Sequence, residues 1–110
     1  MSKSLPPLTH MQFVVLESLC TEERAGRDLR ALLASFNVRS SGPAFYQMMG
    51  RLEESAFVEG WYDQKLVGGQ NIKERRYRVT RSGLRAVADT RAFYQERLAR
   101  AGLVRRGANA

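Results

Sequence analysis

The chain has 110 residues with 18 Lys or Arg against 11 Asp or Glu, a formal net charge of +7, which suits one small domain with a basic surface. One cysteine and one histidine exclude an intramolecular disulfide and an ordinary zinc site, and without a paired nucleophile and base neither an enzyme nor a cofactor is expected. No apolar run is long enough to span a bilayer and the N-terminus lacks a secretory signal, so we expect a cytoplasmic protein without a membrane partner.

The first predicted element is a helix that begins after a flexible arm at residues 1–7. Thr9 and Gln12 have the spacing of a capping box, in which each side chain accepts a hydrogen bond from the other residue's backbone. The helix should run to about Cys20, which we interpret as a small buried hydrophobe because no second thiol accompanies it. Its buried face should be drawn from Phe13, Leu16, Leu19 and Cys20.

A second helix is predicted after the polar segment 21–26, because apolar residues recur there at helical spacing. These residues are Leu29, Leu32, Leu33 and Phe36. Asn37 is the predicted stop, since asparagine tolerates the left-handed conformation that ends many helices. Only about four residues then precede the next helix, so the two form a candidate helix-turn-helix.

The segment 40–58 is predicted to be the second helix of that motif. Pro43 suits its first turn, with Gly42 or Ser41 as the cap. The side that would face the core carries Phe45, Met48, Met49, Leu52 and Ala56. The opposite side carries Ala44, Gln47, Arg51 and Glu54. An amide and a guanidinium among small residues can reach base edges, although an ordinary surface helix has the same pattern.

A β-hairpin is predicted next, because the apolar period changes from 3.6 to 2 after Val58, with a turn at residues 67–71. Its inner face would carry Val58, Tyr62, Tyr77 and Val79. Trp61 would share the outer face with Arg76 and Arg78, either half-exposed with cation–π contact or as a wedge toward DNA. The cations that crowd the tip and the return strand are Lys65, Lys73, Arg75 and Arg76.

Thr80 is the predicted cap of a long last helix that has two apolar sides. One side would carry Leu84, Val87, Ala88, Tyr94 and Leu98. Phe93 lies about 180° from Leu84, on a second side that includes Ala86 and Thr90. One small core covers a single side, so the second side is expected to meet a partner subunit. The expected division is a winged domain at 8–79, a dimerisation helix at 80–101 and a disordered basic tail at 102–110.

Charge is unevenly distributed along the chain. Residues 1–64 hold six Lys or Arg and eight Asp or Glu, a balance of −2, whereas residues 65–110 hold twelve and three, a balance of +9. A basic stripe of this kind indicates a nucleic-acid-binding protein, and the solvated face of a long helix is the alternative explanation.

These residues resemble the PadR-like transcriptional regulators, a winged-helix family, over about residues 8–93. The resemblance lies in the turn into the second helix (25–29, AGRDL), in the third helix (45–53, FYQMMGRLE) and at the return strand and last helix (77–83, YRVTRSG). It implies a mainly α fold with a small β-hairpin, that is, an α+β winged helix-turn-helix with a long C-terminal dimerisation helix, as in the short branch of the family.

The chain departs from the family pattern at three places in the third helix. Pro43-Ala44 replaces the usual Gly-Thr, Gln47 replaces a Pro, and Gly50 replaces a frequent basic residue. The resemblance therefore carries over Tyr46 and Arg51 as the best matched DNA-contacting residues.

The expected function is a sequence-specific regulator that binds double-stranded DNA as a homodimer and represses transcription by occupying a promoter. The helix at 40–58 would enter the major groove, where Gln47 and Arg51 would read bases. The expected DNA-binding residues are Arg39, Ser40, Ser41, Ala44, Tyr46, Gln47, Arg51, Lys65, Lys73, Arg75 and Arg76. The expected dimer interface comprises Val87, Thr90, Phe93, Tyr94 and Arg97. The resemblance also allows a small aromatic or hydrophobic effector at that interface, and the alternative function is a protein-interaction module without specific DNA binding.

Overall fold

The computed structural model describes residues 5–109, with side chains described as far as residue 102. Four helices and a three-stranded antiparallel sheet make up this part of the chain, which confirms the predicted α+β architecture with a hairpin. In chain order the elements are α1 (His10–Leu19), β1 (Arg24–Ala25), α2 (Gly26–Ser35), α3 (Gly42–Glu54), β2 (Val58–Val67), β3 (Gln70–Val79) and α4 (Arg81–Asn109).

The capping box at the start of α1 is confirmed. Thr9 Oγ1 accepts a hydrogen bond from the Gln12 backbone N–H at 3.2 Å, and Gln12 Oε1 accepts one from the Thr9 N–H at 3.0 Å. The helix ends at Leu19, so the prediction that Cys20 is buried is wrong: its exposed thiol donates to the Leu16 carbonyl. Partial desolvation raises the pKa of this thiol, which keeps it in the neutral form.

The ends of α2 and α3 are set by residues with positive φ. Asn37 has φ of 65° and stops α2, as predicted. Phe36, the C-cap residue, is exposed and does not join the predicted buried face. Ala56 has φ of 61° and follows the end of α3 at Glu54, so α3 is shorter than predicted and Ala56 does not join its buried face. Ser41 is the cap.

The sheet has the order β1-β3-β2, and β1 was not predicted. This strand is two residues long and pairs with Tyr77 and Arg76 of β3, which is too short a run to produce an alternating pattern. The hairpin of β2 and β3, called the wing below, closes through Gly68 and Gly69, which both have positive φ. Such a two-residue turn needs this conformation at both positions, which glycine supplies without strain.

The inner face of the wing is buried only near its base. Val58 and Tyr77 belong to the core and Val79 packs against it, as predicted. Tyr62 lies on the same face but is 67% exposed. On the outer face the Arg78 guanidinium lies 5.6 Å from the ring centre of half-buried Trp61, which confirms the predicted cation–π contact.

The predicted orientation of α4 is wrong by about a quarter of a turn, with Val87 common to the predicted and the observed buried side. Its buried residues are Gly83, Ala86, Val87 and Thr90, whereas Leu84 is exposed. A Cβ at Gly83 would overlap the Phe57 carbonyl, so the glycine sets a close approach at the first turn of the helix. Small residues next along that side then pack α4 against α1, and the Thr90 hydroxyl donates to the Ala86 carbonyl at 2.6 Å.

The remainder of α4 extends away from the domain. Thr80 caps it, as predicted, because Thr80 Oγ1 accepts from the Gly83 N–H at 3.0 Å. A helix of 29 residues is about 43 Å long, which explains the overall extents of 68 × 28 × 23 Å. The backbone of the predicted tail is helical as far as Asn109, and the side chains from residue 103 onward lie outside the described residues, as do residues 1–4 of the predicted arm. In the described part of the chain, no helix is both long and apolar enough to cross a membrane.

Candidate nucleic-acid interface

The outward face of α3 is held in place by the core beneath it. Phe45, Met49 and Leu52 are fully buried, so the residues on the opposite side of the helix must face solvent. The four residues predicted for this side, Ala44, Gln47, Arg51 and Glu54, are all exposed.

Arg51 is the cation in the middle of this face. Among the described residues no acid lies within 4 Å of its guanidinium, so the surface ion pair with Glu53 or Glu54 that would account for it structurally is not formed. Its five N–H donors therefore remain available to a partner.

Tyr46 is positioned by two contacts within the protein. Its ring packs edge-on against Phe45 at 5.0 Å, and its hydroxyl lies over Gly26, where an added Cβ would be only 2.8 Å away. The side chain is nevertheless partly exposed and lines the cleft between α3 and the wing. Tyr46 thus fixes α3 against the start of α2 while presenting one edge to solvent.

The cleft between α3 and the wing has a volume of about 450 Å³ and is lined by Tyr46, Glu53, Tyr62, Lys73, Arg75 and Tyr77. Arg75 crosses it: Nη2 lies 2.5 Å from Glu53 Oε1, and the guanidinium stacks over the rings of Tyr62 at 4.8 Å and Tyr77 at 5.5 Å. Arg75 was expected to bind DNA, but in this position it ties the wing to α3.

Glu74 is the centre of an ion-pair cluster on the outer face of the wing. Glu74 is only 7% exposed. Its carboxylate lies 3.2 Å from Lys65 Nζ and 3.3 Å from Arg76 Nη1. Arg27 of α2 approaches Oε1 to 2.8 Å without hydrogen-bond alignment. Burial by itself would raise the pKa of Glu74, but the hydrogen bond from Lys65 and the nearby cations outweigh it and lower the pKa.

Most cations of the wing are therefore neutralised within the protein. Arg76 also lies 3.6 Å from Glu23, and Arg78 pairs with Glu59 at 2.6 Å. Of the four wing cations predicted to bind DNA, only Lys73 has no acid within 4 Å among the described residues.

The helix-turn-helix shows the opposite situation. Arg39, in the turn before α3, has no acid partner within the described residues, and neither has Arg30 of α2. Sequence reasoning missed Arg30, although Arg27, Arg30, Ala31 and Ala34 have the spacing of one helix face. The predicted residues Ser40 and Ser41 lie in the same turn, Ser41 as the cap.

The residues predicted for the dimer interface divide into two groups. Val87 and Thr90 are 4% and 3% exposed within one protomer, which corrects their assignment, because they have almost no surface left for a partner. Phe93 is half-buried, with the Arg97 guanidinium 5.2 Å from its ring centre and Tyr94 packed edge-on. Among the described side chains of α4, the exposed large apolar residues are Leu84, Leu98 and the predicted interface residue Tyr94.

Comparison with known proteins gives a consistent fold. No family model and no curated protein matches the sequence. Among solved structures, a PadR family transcription regulator from hypervirulent Clostridium difficile has a TM-score of 0.70 at 11% identity, covering 86% of this chain and 99% of that one. A padr family transcriptional regulator from Eggerthella lenta has a TM-score of 0.62 at 24% identity, over 83% and 80% of the two chains.

A third structure is Bacillus subtilis PadR in complex with operator DNA, with a TM-score of 0.61 at 17% identity, covering 74% of this chain and 46% of that one. The chain has the PadR-type winged-helix fold. Within this PadR-type fold, α2 and α3 form the helix-turn-helix and the β2–β3 hairpin forms the wing.

Proposed function

We propose that the protein is a transcriptional regulator that binds double-stranded DNA as a homodimer and represses by occupying a promoter. The observation that carries the proposal is the outward face of α3, where exposed Gln47 and Arg51 stand among small or polar residues and Arg51 has no acid partner in the described chain. A glutamine is suited to adenine and an arginine to guanine in the major groove. Ala44 leaves room for α3 to approach the bases closely.

The fold supports DNA as the partner, because a protein of the same fold, Bacillus subtilis PadR, was crystallised with operator DNA. In this chain the backbone contacts would come from Arg39, Ser40 and Ser41 on one side of α3 and from Lys73 of the wing on the other. Tyr46 would contribute its exposed edge. A regulator that acts by binding DNA needs no catalytic group, and the sequence offers no paired nucleophile and base.

Dimerisation would use the part of α4 that extends away from the domain. Tyr94 and Leu98 are exposed there, and Leu98 at 71% has almost no cover from its own protomer. Two α4 helices that pair along this side would bury these residues and place two α3 helices on one DNA duplex. A small aromatic or hydrophobic effector could bind at that interface. This part of the proposal rests on the resemblance to PadR-like regulators.

The test combines sedimentation with DNA binding. The wild-type protein at tens of micromolar should sediment as a dimer and bind DNA from upstream of its own gene more tightly than random DNA. Leu98→Asp should sediment as a folded monomer and lose the preference for the upstream DNA, because two carboxylates would be placed in an apolar contact.

Leu66→Asp is the matched control, since Leu66 is 73% exposed at the tip of the wing and its replacement should leave the dimer intact. Wild-type protein that remains a monomer would contradict the proposed assembly.

The second candidate is a protein-interaction module that no longer binds DNA specifically. It is favoured by the internal ion pairs of the wing, which leave Lys73 as its one unpaired predicted DNA contact within the described residues. Equal affinity for upstream and random DNA across a salt series would favour this module over the regulator.

A further inference from the structure

A second cleft of the helix-turn-helix lies along α2 and the turn to α3, and its lining includes Arg27, which pairs with Glu74 of the wing. Its volume is about 480 Å³, and its small or apolar lining residues are Ala31, Ala34 and Val38. Arg27, Arg30, Arg39 and Ser40 complete the lining. A cleft that combines small side chains with several guanidinium groups is suited to an anion.

The charges in this cleft are not compensated by acids. Arg30 and Arg39 have no ion-pair partner in the part of the chain that the structure describes. Arg30 Nη2 donates to the Ser40 carbonyl at 3.3 Å, which engages one of its five donors. Arg27 differs, because it shares its charge with Glu74. Arg30 and Arg39 therefore supply the positive charge of the cleft that no acid among the described residues neutralises.

The backbone at the start of α3 offers little help in binding an anion. Pro43 has no N–H, and the Ala44 N–H donates to Ser41 Oγ at 3.2 Å. The Gly42 N–H remains, and the Arg30 guanidinium lies near the same residue, since a Cβ on Gly42 would be 3.5 Å from Arg30 Nη1. The arginine therefore brings N–H donors to a part of the helix where the backbone offers few.

We propose that Arg30 and Arg39 form a phosphate-binding site in this cleft, with Ser40 and the first turn of α3 at its edge. Guanidinium groups bind phosphate in bidentate geometry, and two of them suit one phosphate or two neighbouring ones. The cleft is continuous with the turn that leads into α3, so the phosphate expected there is a phosphodiester of the DNA strand that flanks the major groove. This choice of source rests on the proposed function, whereas a free phosphate compound would use the same chemistry.

The first arm of the test is DNA binding by the double variant Arg30→Gln and Arg39→Gln. The slope of log affinity against log salt should fall by about 0.9 for each phosphate that the variant no longer neutralises, on both upstream and random duplexes. The control is Arg81→Gln with Arg85→Gln, which removes the same charge from exposed positions of α4 and should leave the slope unchanged. Thermal unfolding of both variants should match that of the wild type, because all four side chains are exposed.

The second arm uses pyrophosphate as the probe and amide NMR shifts as the readout. Pyrophosphate should shift the Ala31, Ala34 and Gly42 amides of the wild type and leave those of the double variant unchanged. If the wild type binds no DNA but shows these pyrophosphate shifts, the proposed function fails and the site remains, with a free phosphate compound as its ligand. A DNA slope that is unchanged in the double variant, or that falls equally in the control, overturns the site while DNA binding itself stands.

Discussion

The wing and the helix-turn-helix both carry several arginines, but they use them differently. In the wing, Arg75 is paired with Glu53 and Arg78 with Glu59, and these ion pairs help to hold the hairpin in place. In the helix-turn-helix, Arg30 and Arg51 have no acid partner within the described residues. The half of the sequence with the larger positive balance is therefore not the half that offers most free positive charge near α3.

The largest effect is expected from Gly60→Ala, which tests whether the wing is locked to α3. A Cβ at Gly60 would come within 2.9 Å of the buried Tyr77 ring and would collide with the Glu53–Arg75 pair. The flexible ends of Glu53 and Arg75 can move apart, but the ring cannot, so we expect a loss of about 1–3 kcal/mol in unfolding free energy.

Gly50→Ala is the control, because nothing lies within 4 Å of its added Cβ and alanine suits a helix better. It should stabilise the protein by about 0.4–1 kcal/mol in the same urea titration. Equal effects of the two substitutions would show that the lock does not hold the wing.

A comparable effect, on DNA affinity instead of stability, is expected from Arg51→Ala. If its guanidinium makes a bidentate contact to a base, binding to the specific site should weaken by about 1–3 kcal/mol and binding to random DNA much less. Stability should not change, because the side chain has no partner to lose among the described residues.

Arg78→Ala is the matched substitution in the wing. Its exposed pair with Glu59 should contribute less than about 1 kcal/mol to stability, and the salt dependence of DNA binding should be unchanged. A fall in the slope of log DNA affinity against log salt would mean that Arg78 exchanges its pair with Glu59 for a contact with DNA phosphate. The wing and the helix-turn-helix would then both offer free positive charge to DNA.

The smallest effect is expected from the titration of Glu74. Its pKa in the folded protein lies below the ordinary value of 4.5, so its ionised form stabilises the fold at higher pH. That contribution should be fully present above pH 4.5 and be lost as the pH falls through the folded pKa. Unfolding free energy measured from pH 6 downward should therefore decline less steeply in Glu74→Gln than in the wild type, and equal slopes would contradict the cluster.

The sequence by itself determined the types of the four helices and of the hairpin, and those of their ends that are fixed by local hydrogen bonds or backbone angles. The Thr9–Gln12 box, the Ser41 cap, the Asn37 stop and the Gly68–Gly69 turn all depend on hydrogen bonds or backbone angles within a few residues. The inward face of α3 was predictable for the same reason, because helical spacing alone places Phe45, Met49 and Leu52 on one side.

Only the tertiary structure decided how these elements use their faces. Both sides of α4 are apolar, and the contact of Gly83 with the Phe57 carbonyl, which joins distant parts of the chain, selected the side with Ala86 and Thr90. The strand register and the packing of α2 likewise placed Glu74 beside cations from α2 and β2. Arg30 and Arg51 have no acid partner among the described residues. Such pairings depend on packing between elements far apart in sequence, and residue spacing within one element does not contain them.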